Sequence, residues 1–471
     1  FFSGERERSR TGNVVSSSLK RVWEEAAESA RRSSLDQSWG EGRDHARTPL
    51  RAERRDEQPH GHAMRLERFD VELSNNENAY FAGQEISGKI IIEASEPKRV
   101  NEILLELKGR ARTYWTKHSG KSRKHVAHSE PYFLEQLNTR YTHGLPLGEG
   151  HERILSAGHH EIPFSYTLPK SLPSSFEGEF GYVRYTCRAI CERPWDFDIV
   201  SRSAFTVIGI EDINGDARLA EPASASNSNQ TVALCWQPGG SVQAEISLPK
   251  TGFTPGETIT VLSRVNNNSA KSRKAAIKLM QHVTYKAKTF AGHDESKTSK
   301  KTIIRRELAD VPATTRCDIP EEKLRIPSLP PRLGRCSIIR LSYTVELEVE
   351  AAVTASLAIV IGSIPQLCEI MRHARIANNA QLDEGSRVQV TITDEDGQTL
   401  TEDAMGAEME ALLSARKRVR MPSSILSELY PSMPSPYYRE SFFGKTDISE
   451  EKESIQYGDN QFAPKYPFYT D

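Results

Sequence analysis

Two stretches that share one pattern predict the fold: NAYFAGQEISGKIII at residues 78–92 and KTGFTPGETITVLSRV at residues 250–265. Each places an aromatic residue and a glycine ahead of a run in which apolar and polar residues alternate. Such alternation is typical of a half-buried β-strand. Aligning the two stretches sets Gly83 opposite Gly256, in a turn that can require a positive φ. We therefore predict two copies of one β-rich unit.

The repeat continues after both stretches. The segments LELKGRARTYW and IKLMQHVTYKA keep nearly the same offset and set Tyr114 opposite Tyr285. Further on, proline-bounded loops lead into long strands that carry Tyr185 and Tyr343. Short strands separated by Gly, Pro, Asn or Ser, with no helical period between them, are typical of antiparallel sandwiches. We predict an all-β fold made of two tandem immunoglobulin-type β-sandwich domains.

Changes in composition divide the chain into five parts. The two ends lack the apolar periodicity that a core requires, and the segment between the two series of strands is rich in small polar residues. Met64 stands directly before the first patterned strand, so we expect the residues ahead of it to be an extension. The predicted parts are a disordered N-terminal extension (1–63), a first sandwich (65–213), a linker (214–230), a second sandwich (231–370) and a mostly disordered tail (371–471) with one predicted helix (402–420).

Composition and charge exclude several classes of protein. The formal net charge of −2 over 471 residues provides no overall field that would draw the chain onto nucleic acid. The six cysteines show no paired CxxC spacing, and the first thirty residues contain no apolar core of a secretory signal. The longest apolar run, at residues 351–364, is shorter than the ~20 residues of a membrane span. We interpret that run as a buried strand and expect a cytoplasmic protein.

A segment rich in histidine offers the one suggestion of a metal site. It contains seven of the 13 histidines: His118, His125, His128, His143, His151, His159 and His160. Their spacing does not supply two matching pairs of ligands, so a solvated loop is favoured over zinc. No nucleophile elbow, phosphate-binding loop or dinucleotide fingerprint is present in the sequence. We expect no catalytic site, metal or cofactor, and a β-sandwich metal-dependent hydrolase stays as an alternative.

Five stretches occur in an order that resembles one known family: YFAGQEISGKI, IPFSYTLPKSLPSSFEGEFGYVRYTCRAICERPW, GFTPGETI, CSIIRLSYTVELEV and LAIVIGSIP. Over residues 66 to about 366 the chain resembles the arrestin-domain-containing proteins, or α-arrestins. The resemblance implies a non-enzymatic adaptor that links membrane cargo, receptors or transporters, to ubiquitin ligases and endocytic transport. It further implies recruitment from the cytoplasm to the plasma membrane or endosomes. A retromer-like coat subunit of arrestin fold remains an alternative, and such a subunit should tolerate deletion of residues 421–471.

The tail carries the residues that would recruit a ligase. In the family that the chain resembles, PPxY motifs in the tail bind the WW domains of HECT-type ligases. Each WW domain has an aromatic groove that accepts a peptide in the polyproline II conformation. This chain offers Pro436 with Tyr438 and Pro464 with Tyr466. In both motifs the first proline is replaced, by serine or by alanine, which should weaken docking.

A basic hairpin is a second candidate for binding. The sequence TKHSGKSRKHVAH contains Lys117, Lys121, Arg123 and Lys124. Such a cluster can bind a phosphate or a lipid headgroup, and it would allow peripheral association with a membrane. A solvated hairpin without a ligand is the alternative interpretation.

Overall fold

The structure is a computed structural model, and it describes the two sandwiches together with parts of the tail. The described residues are 66–119, 122–148, 152–194, 196–230, 240–367, 436–449 and 455–469. The extension predicted for residues 1–63 and the helix predicted for residues 402–420 lie outside them, as do Lys121 and His151.

The N-terminal sandwich consists of a three-stranded sheet that packs against a larger one. The smaller sheet has the order β1-β3-β8, and the larger has the order β6-β5-β10-β11-β2, with β9 added beside β10. Two further strands, β4 and β7, pair with each other. The strands are β1 Arg68–Leu73, β2 Ala79–Phe81, β3 Glu85–Ala94, β4 Lys98–Val100, β5 Ile103–Ser119, β6 Ser122–Asn138, β7 Arg153–Leu155, β8 Gly158–Thr167, β9 Phe176–Gly178, β10 Gly181–Cys191 and β11 Ile199–Ile208.

The C-terminal sandwich repeats this plan. A sheet of order β12-β13-β15-β18 packs against one formed by β17, β16, β19, β20 and β14. Two short 3-10 turns occur outside this sandwich's strands: Tyr141–Gly144 lies in the N-terminal sandwich, and Ala217–Ala220 lies just before β12. The strands are β12 Ala223–Gln230, β13 Ser241–Leu248, β14 Gly252–Phe253, β15 Thr258–Asn267, β16 Ala275–Lys288, β17 Asp294–Glu307, β18 Thr315–Arg325, β19 Ile339–Val349 and β20 Val353–Ile361.

The two turns used to align the repeat have matching geometry. Gly83 has a φ of 84° and Gly256 a φ of 99°, so both adopt the left-handed region that favours glycine. Each turn follows a short strand that pairs in parallel with the last strand of its own sandwich, with Phe81 in register with Ile208 and Phe253 with Ile361. The predicted all-β fold of two tandem sandwiches is confirmed.

The two strand tyrosines are also equivalent. Tyr185 and Tyr343 are both buried, and each donates its hydroxyl to a proline carbonyl in the loop before its strand. The acceptors are Pro173 O at 2.7 Å and Pro330 O at 2.8 Å. A buried hydroxyl requires such a partner, because an unpaired polar group in the core is costly. In both sandwiches this bond fixes the loop that leads into the strand.

The alignment of Tyr114 with Tyr285 is wrong by one residue. Tyr114 is 46% exposed, whereas Tyr285 is 1% exposed and lies in the core. Tyr185 pairs with Gly109, and its equivalent Tyr343 pairs with Gln281, so Gly109 and Gln281 are equivalent positions. Counting four residues on from each shows that the equivalent of Tyr285 is Thr113. A shift of one residue moves a side chain to the other face of its strand. Tyr114 and Tyr285 therefore match in residue type but lie on opposite faces of their strands.

The linker predicted for residues 214–230 is partly a strand. Residues 223–230 form β12, which pairs with β13 over its full length. Its side chains are mostly exposed, which is why the composition resembles that of a loop. Two side-chain amides reach the neighbouring sheet, Asn227 Nδ2 donating to Thr354 O at 2.9 Å and Asn229 Nδ2 to Ala352 O at 2.8 Å. The second sandwich therefore begins earlier than the predicted residue 231.

The apolar run at residues 351–364 contains β20, as the sequence predicts. Along this strand buried and more accessible residues alternate, so one face lies in the core. None of the helices among the described residues has the length and apolar character needed to cross a membrane.

The two sandwiches are joined by backbone pairing and by buried polar contacts. Lys288 of β16 is paired with Ala127 of β6, so the two larger sheets are continuous. Glu211, which is buried, accepts hydrogen bonds from Arg332 Nε and Gly334 N, both at 2.9 Å. Ser363 Oγ accepts from Glu211 N at 2.8 Å and donates to Gly209 O. Charge-assisted bonds in a buried setting hold the junction in one arrangement.

Candidate functional site

The two candidate ligase motifs lie side by side in the structure. Two tail segments, 436–449 and 455–469, form strands β21 Tyr437–Glu440, β22 Thr446–Asp447, β23 Tyr457–Gly458, β24 Gln461–Phe462 and β25 Lys465–Phe468. Strands β21 and β25 pair antiparallel, with Tyr438 opposite Pro467 and Tyr466 opposite Arg439. The sequence analysis expected a mostly disordered tail, but these parts of it are folded onto both sandwiches.

We call the surface that these tail strands cover the junction groove. It is defined by five residues that hydrogen-bond the tail from both sandwiches: Ser175, Thr206, Pro255, Ser328 and Ser363.

Tyr466 of the second motif is enclosed in the junction groove. Its side chain is 1% exposed, and its hydroxyl donates to Ser175 O at 3.0 Å. Burial raises the pKa of this phenol well above its ordinary value. Pro464 is buried as well, and its carbonyl accepts from Ser441 N at 2.7 Å. The second motif is thus covered on both its proline and its tyrosine.

Tyr438 of the first motif packs against a small apolar cluster formed by Ala79, Phe81, Ile208 and Ile364. Burial raises the pKa of Tyr438 to about 12. Its neighbour Tyr437 is 70% exposed. Alternation along the strand therefore turns the motif tyrosine inward and the other tyrosine toward solvent.

The end of the tail binds the second sandwich. Tyr469 N donates to Pro255 O at 2.9 Å, and the Tyr469 hydroxyl donates to Ser363 O at 2.9 Å. The backbone of Tyr469 passes so close to Gly256 that a Cβ on this glycine would lie 1.9 Å from the Tyr469 carbonyl oxygen. The absence of a side chain at Gly256 therefore leaves room for the tail.

Two arginines and a serine hold the paired tail strands. The Arg439 guanidinium carbon lies 4.1 Å from the centroid of the Phe468 ring, and that of Arg325 lies 5.6 Å from it. Such cation–π contacts stabilise an aromatic ring, and the Phe468 ring is buried between them. Ser328 Oγ donates to Arg439 O at 2.8 Å, and Ser328 O accepts from Phe442 N at 2.8 Å.

Of the remaining tail strands, β22 and β24 pair with each other, and β23 extends the first sandwich. Strand β23 pairs in parallel with β11, with Tyr457 in register with Ser201. The Tyr457 hydroxyl donates to Leu66 O at 2.6 Å, and its ring meets that of Phe69 edge-on. Addition of a strand to a sheet edge uses main-chain bonds for affinity and side-chain pockets for specificity.

A buried ion pair lies beneath the tail. Arg184 bonds Glu177 through Nε and Nη2, each at 2.8 Å, and its Nη1 donates to Ile448 O of the tail at 3.4 Å. Hydrogen bonds from Ser449 lower the pKa of Asp447, and the positive charges of Arg202 and Arg184 lower it further. The first sandwich therefore presents positive charge to an acidic residue of the tail.

The predicted basic patch is divided. Lys117 Nζ forms an ion pair with Glu295 of the second sandwich at 2.8 Å. Arg123 and Lys124 are exposed on β6 near the hairpin tip. The structure thus brings Lys117 to the junction, where its charge is balanced, and leaves Arg123 and Lys124 accessible to a ligand.

The histidines do not assemble into a metal site in the part of the chain that the structure describes. Within those ranges, no group of three or more His, Cys, Asp or Glu side chains has the geometry to hold an ion. Most of these histidines lie on strands rather than in one loop; for example, His159 contacts Glu93 and Glu161, which raise its pKa. Cys187 and Cys191 are buried free thiols.

The sequence analysis identified the motif residues but missed the residues that hold them. Among the missed residues are Ser175, Thr206, Ser328 and Ser363, whose contacts with the tail depend on tertiary structure alone. One signal was available in the tail itself: QFAPKYPFY, at 461–469, is more apolar and aromatic than the residues around it. Such a stretch in a polar tail indicates a surface on which it packs.

Two successive sandwiches with a shared junction define the arrestin architecture, and comparison with known proteins supports this assignment. The N-terminal domain model of arrestin (or S-antigen) matches residues 69–214, and the C-terminal domain model matches residues 238–366. The chain belongs to the arrestin-domain family.

Three relatives show how far the similarity extends. Arrestin domain-containing protein 17 of Caenorhabditis elegans is 61% identical over 427 residues, which cover 87% of this chain and all of that protein. Human Arrestin domain-containing protein 4 is 27% identical, over 64% of this chain and 73% of its own length. Human Thioredoxin-interacting protein is 25% identical, over 64% of this chain and 75% of its own length.

Proposed function

We propose that this protein is an adaptor that links membrane cargo, receptors or transporters, to HECT-type ubiquitin ligases and so to endocytic transport. Membership of the arrestin-domain family supports the adaptor role. The ligase half of the proposal is supported by the position of the two motifs. They lie at tail strands β21 and β25, which pair with each other and form a sheet separate from those of the sandwiches, so these strands can leave without breaking a sandwich sheet.

The ligase is recruited by Pro436 with Tyr438 and by Pro464 with Tyr466. A WW domain binds an extended peptide through a proline ring and a tyrosine ring, and both motifs keep one of each. Since each motif lacks the first proline, single-site affinity is low. Two motifs in one tail offset this loss through multivalency when the ligase carries several WW domains.

Tail peptides test ligase recruitment without interference from docking. Peptides covering residues 430–471 would be immobilised and exposed to a purified array of WW domains from a HECT-type ligase. We expect binding to the wild-type peptide and loss of binding when Pro436→Ala/Tyr438→Ala is combined with Pro464→Ala/Tyr466→Ala. Tyr437→Ala is the matched control, because Tyr437 lies outside both proline–tyrosine pairs. Equal recovery from all peptides would remove the motifs from the mechanism.

Recruitment to the plasma membrane or endosomes is assigned to the exposed part of the basic hairpin. Arg123 and Lys124 are accessible, whereas Lys117 is paired with Glu295. Each basic residue near an anionic surface contributes about 1 kcal/mol to attachment. Binding of the full chain to vesicles that contain phosphatidylserine should fall with Arg123→Glu/Lys124→Glu, and unchanged binding would exclude this role.

A further inference from the structure

A WW domain and the junction groove require the same side chains. Pro464 is buried, and Tyr466 is 1% exposed with its hydroxyl bonded to Ser175 O. A WW domain must enclose both rings of its peptide, which adopts a polyproline II conformation. The docked strand β25 instead pairs with β21, and this pairing covers one edge of the second motif. Docking and ligase binding therefore exclude each other at residues 463–466.

The junction groove has the properties of a peptide-binding site. Ser175, Pro255 and Ser363 each offer a backbone carbonyl that accepts a hydrogen bond from the tail. Thr206 Oγ1 accepts from Lys465 N at 3.0 Å, on the first sandwich. Main-chain acceptors at fixed spacing recognise an extended peptide, and the groove between them encloses aromatic rings.

The ligand that fits these contacts is an extended peptide with large aromatic residues. Tyr466, Phe468 and Tyr469 belong to the tail, and all three are buried when the tail is docked. They stand within the sequence YPFY, in which the proline at residue 467 lies opposite Tyr438. Aromatic anchors of this kind supply most of the affinity at a peptide interface.

Two glycines of the tail differ in what surrounds them. Gly458 has a φ of 99°, and a Cβ on it would lie 2.0 Å from Arg202 O of the first sandwich. Gly444 also has a positive φ, of 75°, but has no heavy atom within 4 Å of an added Cβ. An alanine at either position strains the backbone, while only the one at residue 458 collides with the sandwich.

We propose that the junction groove is a reversible binding site for aromatic, proline-containing peptides and that the chain's own tail occupies it in competition with the ligase. The groove can accept the same peptide in trans whenever the tail has left it. The ligase half of this inference rests on the proposed function, whereas the binding site in the groove does not.

The test measures binding of a peptide in trans to the full chain. A fluorescently labelled peptide of residues 436–471 would be titrated with full-length wild-type, Gly458→Ala and Gly444→Ala proteins, with fluorescence anisotropy as the readout. In the wild type the tail fills the groove, so the apparent affinity is reduced by the fraction of molecules that are open. We expect Gly458→Ala to bind the peptide at least tenfold more tightly than the wild type, and Gly444→Ala to bind within threefold of it.

A second peptide establishes which side chains are recognised. The same peptide with Tyr466→Ala/Tyr469→Ala should lose binding to the Gly458→Ala protein. Equal affinity of wild-type and Gly458→Ala proteins for the unmodified peptide would overturn the proposal, as would full binding of the substituted peptide. Since Gly458 lies in the tail, its substitution should leave the core strands of both sandwiches folded, and wild-type hydrogen-exchange rates in β10 and β19 would verify this.

Failure of the groove and failure of the ligase would be distinguishable. The anisotropy experiment contains no WW domain, so it reports on the groove alone. The peptide pull-down contains no sandwich, so it reports on the ligase alone. Competition follows only if both succeed. Excess Gly458→Ala protein in which the four motif residues are also replaced by alanine, so that it cannot bind the WW domain itself, should then reduce WW-domain binding to the peptide.

Discussion

Removal of one hydroxyl from the tail should loosen its docking by a measurable amount. In Tyr466→Phe the ring stays in place, but the hydrogen bond of 3.0 Å to Ser175 O is lost. A buried hydrogen bond contributes about 1 kcal/mol, and an acceptor left unsatisfied in the interior costs about 1–3 kcal/mol. The population of the undocked tail should therefore rise by a factor of roughly 5 to 150, since 1.4 kcal/mol corresponds to tenfold.

Native-state hydrogen exchange would measure this change directly. Two tail amides donate to the sandwiches, Lys465 N to Thr206 Oγ1 and Tyr469 N to Pro255 O. Their exchange rates report the local opening of the tail, which requires less free energy than global unfolding. In Tyr466→Phe both amides should exchange at least fivefold faster, while amides in the core strands β10 and β19 keep their wild-type rates.

The matched control is Tyr437→Phe. Tyr437 is on the same strand pair but is 70% exposed, so removal of its hydroxyl should leave the exchange rates unchanged. If Tyr466→Phe and Tyr437→Phe behaved alike, the bond to Ser175 would contribute nothing to docking. Faster exchange throughout the core would indicate general destabilisation instead, and would contradict the assignment of this bond to the tail.

Three further predictions concern the two cores, the junction and the pH dependence of docking. Tyr185→Phe and Tyr343→Phe should each lower the free energy of unfolding of their own sandwich by about 1–3 kcal/mol, because each leaves a proline carbonyl without its buried donor; chemical denaturation would measure this. Glu211→Ala should remove the acceptor of Arg332 and Gly334 and allow the sandwiches to move relative to each other, which small-angle scattering would detect as a larger radius of gyration. The pKa of Asp447 is lowered chiefly by hydrogen bonds from Ser449, within the tail, and further by the charges of Arg202 and Arg184. The part that comes from the two arginines contributes to docking; it is present above the ordinary value of 3.8 and is lost as the pH falls through the docked value, so Asp447→Asn should reduce this acid-induced release of the tail, measured by anisotropy of a labelled tail.

The sequence predicts the tandem architecture because its evidence is local. A glycine that must adopt a positive φ and a strand tyrosine that needs a buried partner leave a signature at each copy, as Gly83, Gly256, Tyr185 and Tyr343 illustrate. Residue type alone is less reliable for aligning positions within a strand, because that alignment depends on the pairing register. Tyr114 and Tyr285 are aligned by residue type, yet they point to opposite faces, since a strand has a period of two.

Polar strands and docked tails are harder to predict. Strand β12 contains small polar residues, and its conformation comes from pairing with β13 rather than from its own propensity. The tail resembles a disordered recognition segment, because the residues that hold it are distant along the chain: Ser175 lies 291 positions from Tyr466, and Ser363 lies 106 positions from Tyr469. Only the aromatic stretch at 461–469 indicates that this segment packs.

We propose that the chain recruits a ligase through tail motifs which the junction groove can cover. The most direct test is titration of three full-length proteins with the WW-domain array: wild type, Gly458→Ala, and Gly458→Ala combined with substitution of all four motif residues. We predict weak binding to the wild type, tighter binding to Gly458→Ala, and no binding once Pro436, Tyr438, Pro464 and Tyr466 are replaced by alanine. Binding that is equal in all three proteins would contradict the account.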